Sequence, residues 1–300
     1  MVPLALLLLS VQWAAAGAPT GVRTVYVVPI KGTVEPGLAS FVERSLSTAE
    51  KEKADAVLLE INSFGGRVDA ATEIRDMILE FEPPVLAYVS ERAWSAAALI
   101  AIASPKLAMA PGASIGAAEP RPAEEKTISA LRAEFEATAE RNGRDPRIAG
   151  AMVDAELEIK DVVGKGKILT LSAEQAEKLG FVDYVAPRRQ TVLAYFGYPG
   201  ARLVVMRPAG AERMARFITD PVVSSLLLTV GFLGLLYELA SGGWGVPGSV
   251  SLAALGLFFG GRLVAGLAGW EVLVLFLAGL GLLFLEASVI PGFGVAGFAG

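Results

Sequence analysis

The 300-residue sequence contains no cysteine and no histidine. Disulfides, zinc sites built on Cys or His, and Cys–His or Ser–His–Asp catalytic machinery are therefore excluded. A nucleophilic enzyme with this composition must activate its nucleophile with Lys, Asp, Glu or a backbone group. Charge is also scarce, at 19% of residues against 53% hydrophobic, which is wrong for two ordinary soluble domains. The formal net charge of -5 comes without a basic cluster and argues against a nucleic-acid partner. No metal or cofactor motif is present.

What charge there is divides the chain. Residues 19–186 hold 19 basic and 26 acidic residues, a local charge of -7 typical of a soluble domain. From Pro221 to Gly300 only Glu238, Arg262, Glu271 and Glu286 are charged. Val222–Leu239, Pro247–Leu267 and Trp270–Leu285 are each near the length of about 20 apolar residues that crosses a bilayer. The expected arrangement is a multi-span membrane domain over 221–300, preceded by a linker over 187–220. A weak repeat runs through it: LLYELASGGWGVPGS around Glu238 returns as LLFLEASVIPGFGVAGF around Glu286, with Gly245, Val246 and Gly248 matching Gly294, Val295 and Gly297. The first copy is followed by a span and the second is not, so the sequence is expected to be cut short. The glutamates fit interfacial anchors better than an ion pathway.

The amino terminus reads as a signal peptide over 1–18. LALLLLSVQW supplies the apolar core and AAAGA the small-residue cleavage site, although no Lys or Arg precedes Arg23. Cleavage there places the domain outside the cytoplasm. Arg207, Arg213 and Arg216 before the first span point mildly the other way.

Within 19–186, strands and helices alternate. VRTVYVVPI is β-branched, and a helix follows from Pro36 to Lys53. AVLLEIN is a continuous apolar run of the kind found in buried parallel strands. A helix from Asp69 to Phe81, the strand VLAYV and the small-residue helix SAAALIAIA come next. A short strand follows over Lys106–Met109, then a charged helix over Lys126–Arg141. SAEQAEKLG closes the pattern, with Ser172 and Gln175 placed as a capping box. Alternation of this kind predicts an α/β domain with a largely parallel sheet, whose site lies where strands end and helices begin.

Two such junctions hold chemical interest. Gly65 and Gly66 follow a buried strand, where they serve either as a tight turn or as an oxyanion hole. Ser95 sits at a helix start among alanines, where it is either an N-cap or a nucleophile. With histidine absent, a neutral lysine is the available base, provided burial lowers its pKa. Of nine lysines in the domain, Lys126 begins a helix after the Pro-rich loop EPRPAEEK, beside Glu124 and Glu125.

EINSFGGRVDAA, AWSAAALIAIASPKLAMAPGASIGAAEP, KTISALRAEFEATAERNGRD and LTLSAEQAEKLGFVDYV together resemble the NfeD family, stomatin-operon partner proteases with a ClpP/crotonase-like fold. ELASGGWGVPG and EASVIPGFGVAG extend the resemblance into the apolar half. It implies a Ser–Lys dyad of Ser95 and Lys126, and an oxyanion hole at Gly65 and Gly66. It also implies a hydrophobic substrate in the C-terminal region of a stomatin-like membrane protein, and a homodimer or larger assembly. Three features depart from the family: Ser63-Phe64 stands in place of Thr-Pro, Ala96-Ala97 in place of Ala-Gly, and the loop before Lys126 is short. A membrane scaffold without catalysis, a signal-peptide-peptidase-like enzyme and a crotonase-type acyl-CoA enzyme are the competing readings.

Overall fold

The computed structural model describes residues 22–241, 245–264 and 269–288. The expected signal peptide and the turn of the second repeat copy, with Gly294, Val295 and Gly297, lie outside the described residues.

The first half alternates as the sequence pattern requires. Strand β1 (Thr24–Val34) leads to helix α1 (Pro36–Lys51), β2 (Ala56–Gly66) to α2 (Val68–Glu80), and β3 (Val85–Trp94) to α3 (Ala96–Ala103). Pro36 occupies the first turn of α1, where its missing N–H costs nothing, and the Glu35 carboxylate accepts from Gly37 N at 2.7 Å. β2 is apolar over its first half because neighbours cover it there on both edges and both faces; Ala56, Val57, Leu58, Leu59 and Ile61 are fully buried. Helix α3 is buried at every position, and its small side chains let it pack close against β2 and β3.

The domain continues with the long helix α4 (Glu125–Arg141) among shorter elements: β4 (Lys106–Met109), β5 (Ser114–Gly116), α5 (Pro146–Ala151), β6 (Thr170–Ser172), α6 (Ala173–Lys178) and β7 (Tyr184–Val185). The sheet order is β6-β5-β3-β2-β1-β8, where β8 is Arg202–Val205, with β4 between β3 and β7. All pairings are parallel except β5 with β6. One edge of β3 is shared: Leu86–Val89 pair with β4, and Arg92–Trp94 pair with β5. The expected capping box is formed, Gln175 N donating to Ser172 Oγ at 3.2 Å and Ser172 N to Gln175 Oε1 at 3.0 Å.

The stretch 187–220, expected as a linker or juxtamembrane segment, holds regular structure. It contains α7 (Arg189–Tyr195), β8 (Arg202–Val205) and α8 (Gly210–Thr219), and β8 pairs parallel with Thr24–Val27 of β1. The sheet therefore extends beyond residue 186. A four-residue strand after a Gly-rich turn carries too little periodicity to be recognised alone.

The apolar half forms α9 (Pro221–Ser241), α10 (Val246–Val264) and α11 (Trp270–Ser288). Among the described residues, Val246–Leu263 is long and apolar enough to cross a membrane, and α9 adds a second if α8 and α9, bent by 69°, count as one broken span. Small residues bring α9 and α10 together. A methyl on Gly231 would lie 2.6 Å from Leu255 Cγ, and Ser251 Oγ donates to Gly231 O at 2.7 Å. Glu238 is buried at the α9–α10 turn, where its carboxylate accepts from the N–H groups of Gly245 and Gly248 and so caps α10. Within the motif ELASGGWGVPG the glutamate is thus bonded to the N–H groups of two of its own later glycines.

Candidate active site

The site forms where β2 and β3 end and α3 begins. Ser95 has φ 54° and ψ -127°, a backbone conformation that L-residues adopt only under strong constraint. Its N–H donates to Gly116 O at 2.8 Å and its C=O accepts from Ala98 N at 2.8 Å, so both sides of the residue are fixed. The side chain does not cap α3, and the hydroxyl makes no hydrogen bond among the described residues. The N-cap explanation of this serine therefore fails. A strained backbone thus holds a partly buried hydroxyl, unbonded among the described residues, at a helix start.

Both glycines are required by close approach. A Cβ on Gly65 (φ +97°) would lie 2.6 Å from Ser95 Cβ and 2.7 Å from Trp94 O. A Cβ on Gly66 would collide with the Val34 backbone across the β1–β2 ladder. Their N–H groups differ in use: Gly65 N donates to Ser63 Oγ at 3.0 Å and is spent inside the turn. Ser63, 1% exposed, also donates its hydroxyl to Gly32 O at 2.6 Å, tying β1 to β2 immediately before the glycines. The departure at Ser63 is therefore a clamp. Its neighbour Phe64 turns outward, edge-on to Trp94 at 5.3 Å with Arg92 above it at 4.5 Å.

A cleft of about 540 Å³ opens over Ser95, walled by Gly66, Arg67, Ala96, Glu119, Thr127 and Leu131 among others. Arg67 and Asp69 pair at its rim, and that hydrogen-bonded guanidinium holds the Asp69 carboxyl below its ordinary range. Lys126 lies in the first turn of α4 and is exposed, whereas Thr127, Leu131 and Phe135 present the face of α4 that lines the cleft. Ser95, Gly65 and Gly66 are thus brought together, whereas Lys126, one residue before Thr127 on α4, is not among the residues lining the cleft. Sequence reasoning named Ser63 only as a departure from the family pattern and did not single out Glu119, which lines the cleft.

Fold and site together define a class: a membrane protein whose α/β domain carries a strained serine over a cleft at the strand ends. Residues 24–206 match the NfeD1b N-terminal domain and residues 222–300 match the NfeD integral membrane domain. The chain belongs to the NfeD family. Membrane protein NfeD1b of Bacillus subtilis is 43% identical over 303 residues, covering 99% of this chain and 69% of that one. Membrane-bound protease PH1510 of Pyrococcus horikoshii is 29% identical over 310 residues, covering 92% and 66%. The chain thus spans about two thirds of the length of these relatives. Among solved structures, the membrane-bound stomatin-specific protease 1510-N, as a serine-to-alanine variant, superposes with a TM-score of 0.56 at 27% identity, covering 63% of this chain and 100% of that one. Its lysine-to-alanine variant in complex with a substrate peptide gives 0.56 at 27%, covering 66% and 98%. The expected family and the mostly parallel α/β fold are both present, in a membrane protein related to a protease.

Proposed function

We propose that the protein is a membrane-anchored serine endopeptidase in which Ser95 and Lys126 form the catalytic dyad. The observation that carries this reading is the strained, uncapped Ser95 at the floor of a cleft. In the reaction, Ser95 Oγ attacks a peptide carbonyl carbon and its proton passes to neutral Lys126 Nζ. The C–N bond then breaks, Lys126 returns the proton to the leaving amine, and a water activated by Lys126 hydrolyses the acyl-serine. Gly66 and Ala96 are the oxyanion donors of choice. Both line the cleft, Ala96 N–H is a first-turn helix donor, and Gly65 N–H is already used by Ser63. Gly65 contributes by leaving room for Ser95.

Lys126 becomes the base when substrate fills the cleft and the first turn of α4 rotates to bring its side chain under cover, since a neutral lysine requires desolvation. The substrate is an apolar segment of a membrane protein, such as the C-terminal region of a stomatin-like partner, and the protein works as a homodimer or larger assembly in a multi-pass arrangement with its α/β domain outside the cytoplasm. The exposure of Lys126 favours a second reading, a catalytically silent scaffold that binds such a partner. The deciding experiment is turnover of an apolar peptide by the full chain in lipid vesicles. Wild type cleaves, and Ser95→Ala and Lys126→Ala each abolish cleavage. An inactive wild type supports the scaffold, and an active Ser95→Ala variant removes the nucleophile assignment.

A further inference from the structure

A second cavity, of about 740 Å³, lies between the α/β domain and the membrane domain. Its walls come from both: Pro36, Gly66 and Arg67 on one side, and Phe217 of α8, Val223 of α9 and Arg262 of α10 on the other. Gly66 and Arg67 also wall the Ser95 cleft, so the two spaces meet along one stretch of backbone. Its volume falls in the range of about 300–1,000 Å³ typical of ligand sites.

The position of α8 over this cavity is fixed from several directions. Arg44 Nε and Nη2 grip the Glu212 carboxylate at 2.6 and 2.9 Å. Arg216 Nε pairs with Glu35 at 2.8 Å, and its Nη2 donates to Lys31 O at 3.2 Å and Thr33 O at 3.3 Å. On the membrane side, Ile218 packs where only glycine fits, at Gly261 of α10. Helix α8 therefore lies across the start of α9 with Met214 and Phe217 exposed, as is Val222 at the head of α9. That is the pattern of an interfacial helix, polar toward the protein and apolar toward lipid.

We propose that this cavity is the membrane-side mouth of the Ser95 cleft, and that it receives an extended apolar polypeptide segment of a protein anchored in the same bilayer. The proposal rests on the reading of Ser95 as the nucleophile. An acyl chain needs a wholly apolar slot, whereas this lining mixes Phe217, Val223 and Pro36 with Arg67, Arg216, Arg262, Glu35 and Asp220. A polypeptide supplies both kinds of partner, apolar side chains and backbone N–H and C=O groups. Continuity through Gly66 delivers it to Ser95, and a side chain at Gly66 is already excluded by β1. The substrates favoured are those whose cut site lies close to their own span.

The test uses the full chain in lipid vesicles carrying Ser95→Ala, with a photo-crosslinking side chain at position 217 or at position 223. The probe is a single-span test protein with an apolar juxtamembrane segment. The expected result is crosslinking of that segment from both positions. If wild type cleaves the probe and neither position crosslinks to it, the route is wrong while the protease reading stands. Crosslinks from both positions with no cleavage by wild type retain the binding site and overturn the protease reading. In an independent measurement, Val223→Trp lowers the ratio of kcat/KM for the tethered probe to that for the same segment as a free peptide by at least about tenfold. An unchanged ratio overturns the proposal.

Discussion

The two halves of the candidate dyad are built differently. Ser95 is fixed from every side: its N–H by Gly116, its C=O by Ala98, its Cβ by the empty space above Gly65, and the adjoining strand by the Ser63 clamp. Lys126 stands exposed in the first turn of a helix. On the proposed reading, strain is concentrated on Ser95, and Lys126 is the half that substrate has to position. On that reading, an organised nucleophile with an exposed base is completed only by occupancy of the cleft.

The largest effect expected from breaking this comparison is on the fixed half. Ser95→Ala should lower turnover by about 10³-fold or more while leaving the melting temperature nearly unchanged or raised, because the strained backbone loses nothing on removal of an unbonded hydroxyl. Gly65→Ala should be comparably inactive for another reason. It forces a Cβ to 2.6 Å from Ser95 Cβ at a positive φ, and thermal unfolding should show a loss of several kcal/mol, about 2–4, which separates it from Ser95→Ala. Lys126→Ala should cost about 10²–10⁴-fold, the range of general base catalysis, with the melting temperature unmoved because the side chain is exposed. Its diagnostic is the pH–rate profile: the limb belonging to the base should vanish, and Lys126→Arg should fail to restore it.

Smaller effects test the supports. Ser63→Ala removes a bond to Gly32 O and leaves Gly65 N–H without its acceptor, so it should destabilise by about 1–3 kcal/mol and reduce turnover less than Gly65→Ala does. The smallest effect concerns α8. The Arg44 guanidinium, through its hydrogen bonds, holds the Glu212 carboxyl below its ordinary range. A carboxylate with a lowered pKa stabilises its docked state fully above the ordinary value near 4.3, and that contribution is lost as pH falls through the lowered value. Hydrogen exchange in α8 should therefore quicken in acid and in Glu212→Gln. The change should correspond to less than about 1 kcal/mol, since the pair is partly exposed.

Much of this was readable in the residues where short-range rules apply. The apolar run of β2, the prolines that bound α1 and α2, and the Ser172–Gln175 capping box each declare themselves within a few positions. Gly65, Gly66 and Ser95 were legible as strand-to-helix junctions, and long-range approach explains why no other residue fits at the glycines. What escaped depended on partners far away in sequence. β8 is recognisable only once β1 offers it an edge, and Ser63 becomes a clamp only through a carbonyl 31 residues earlier. Glu238 suggested an interfacial anchor, and the fold makes it a helix cap because the glycines after it bring N–H groups back to its carboxylate.

The central claim, that Ser95 is a nucleophile and not a structural residue, is tested most directly by covalent labelling. The full chain in lipid vesicles is treated with a fluorophosphonate while an apolar polypeptide occupies no site, and then with the polypeptide present as competitor, and the adduct is mapped by mass spectrometry. A single adduct on Ser95 is expected, slowed by the competitor and absent in Ser95→Ala. An adduct on another serine, or cleavage of the polypeptide that persists in Ser95→Ala, would contradict it.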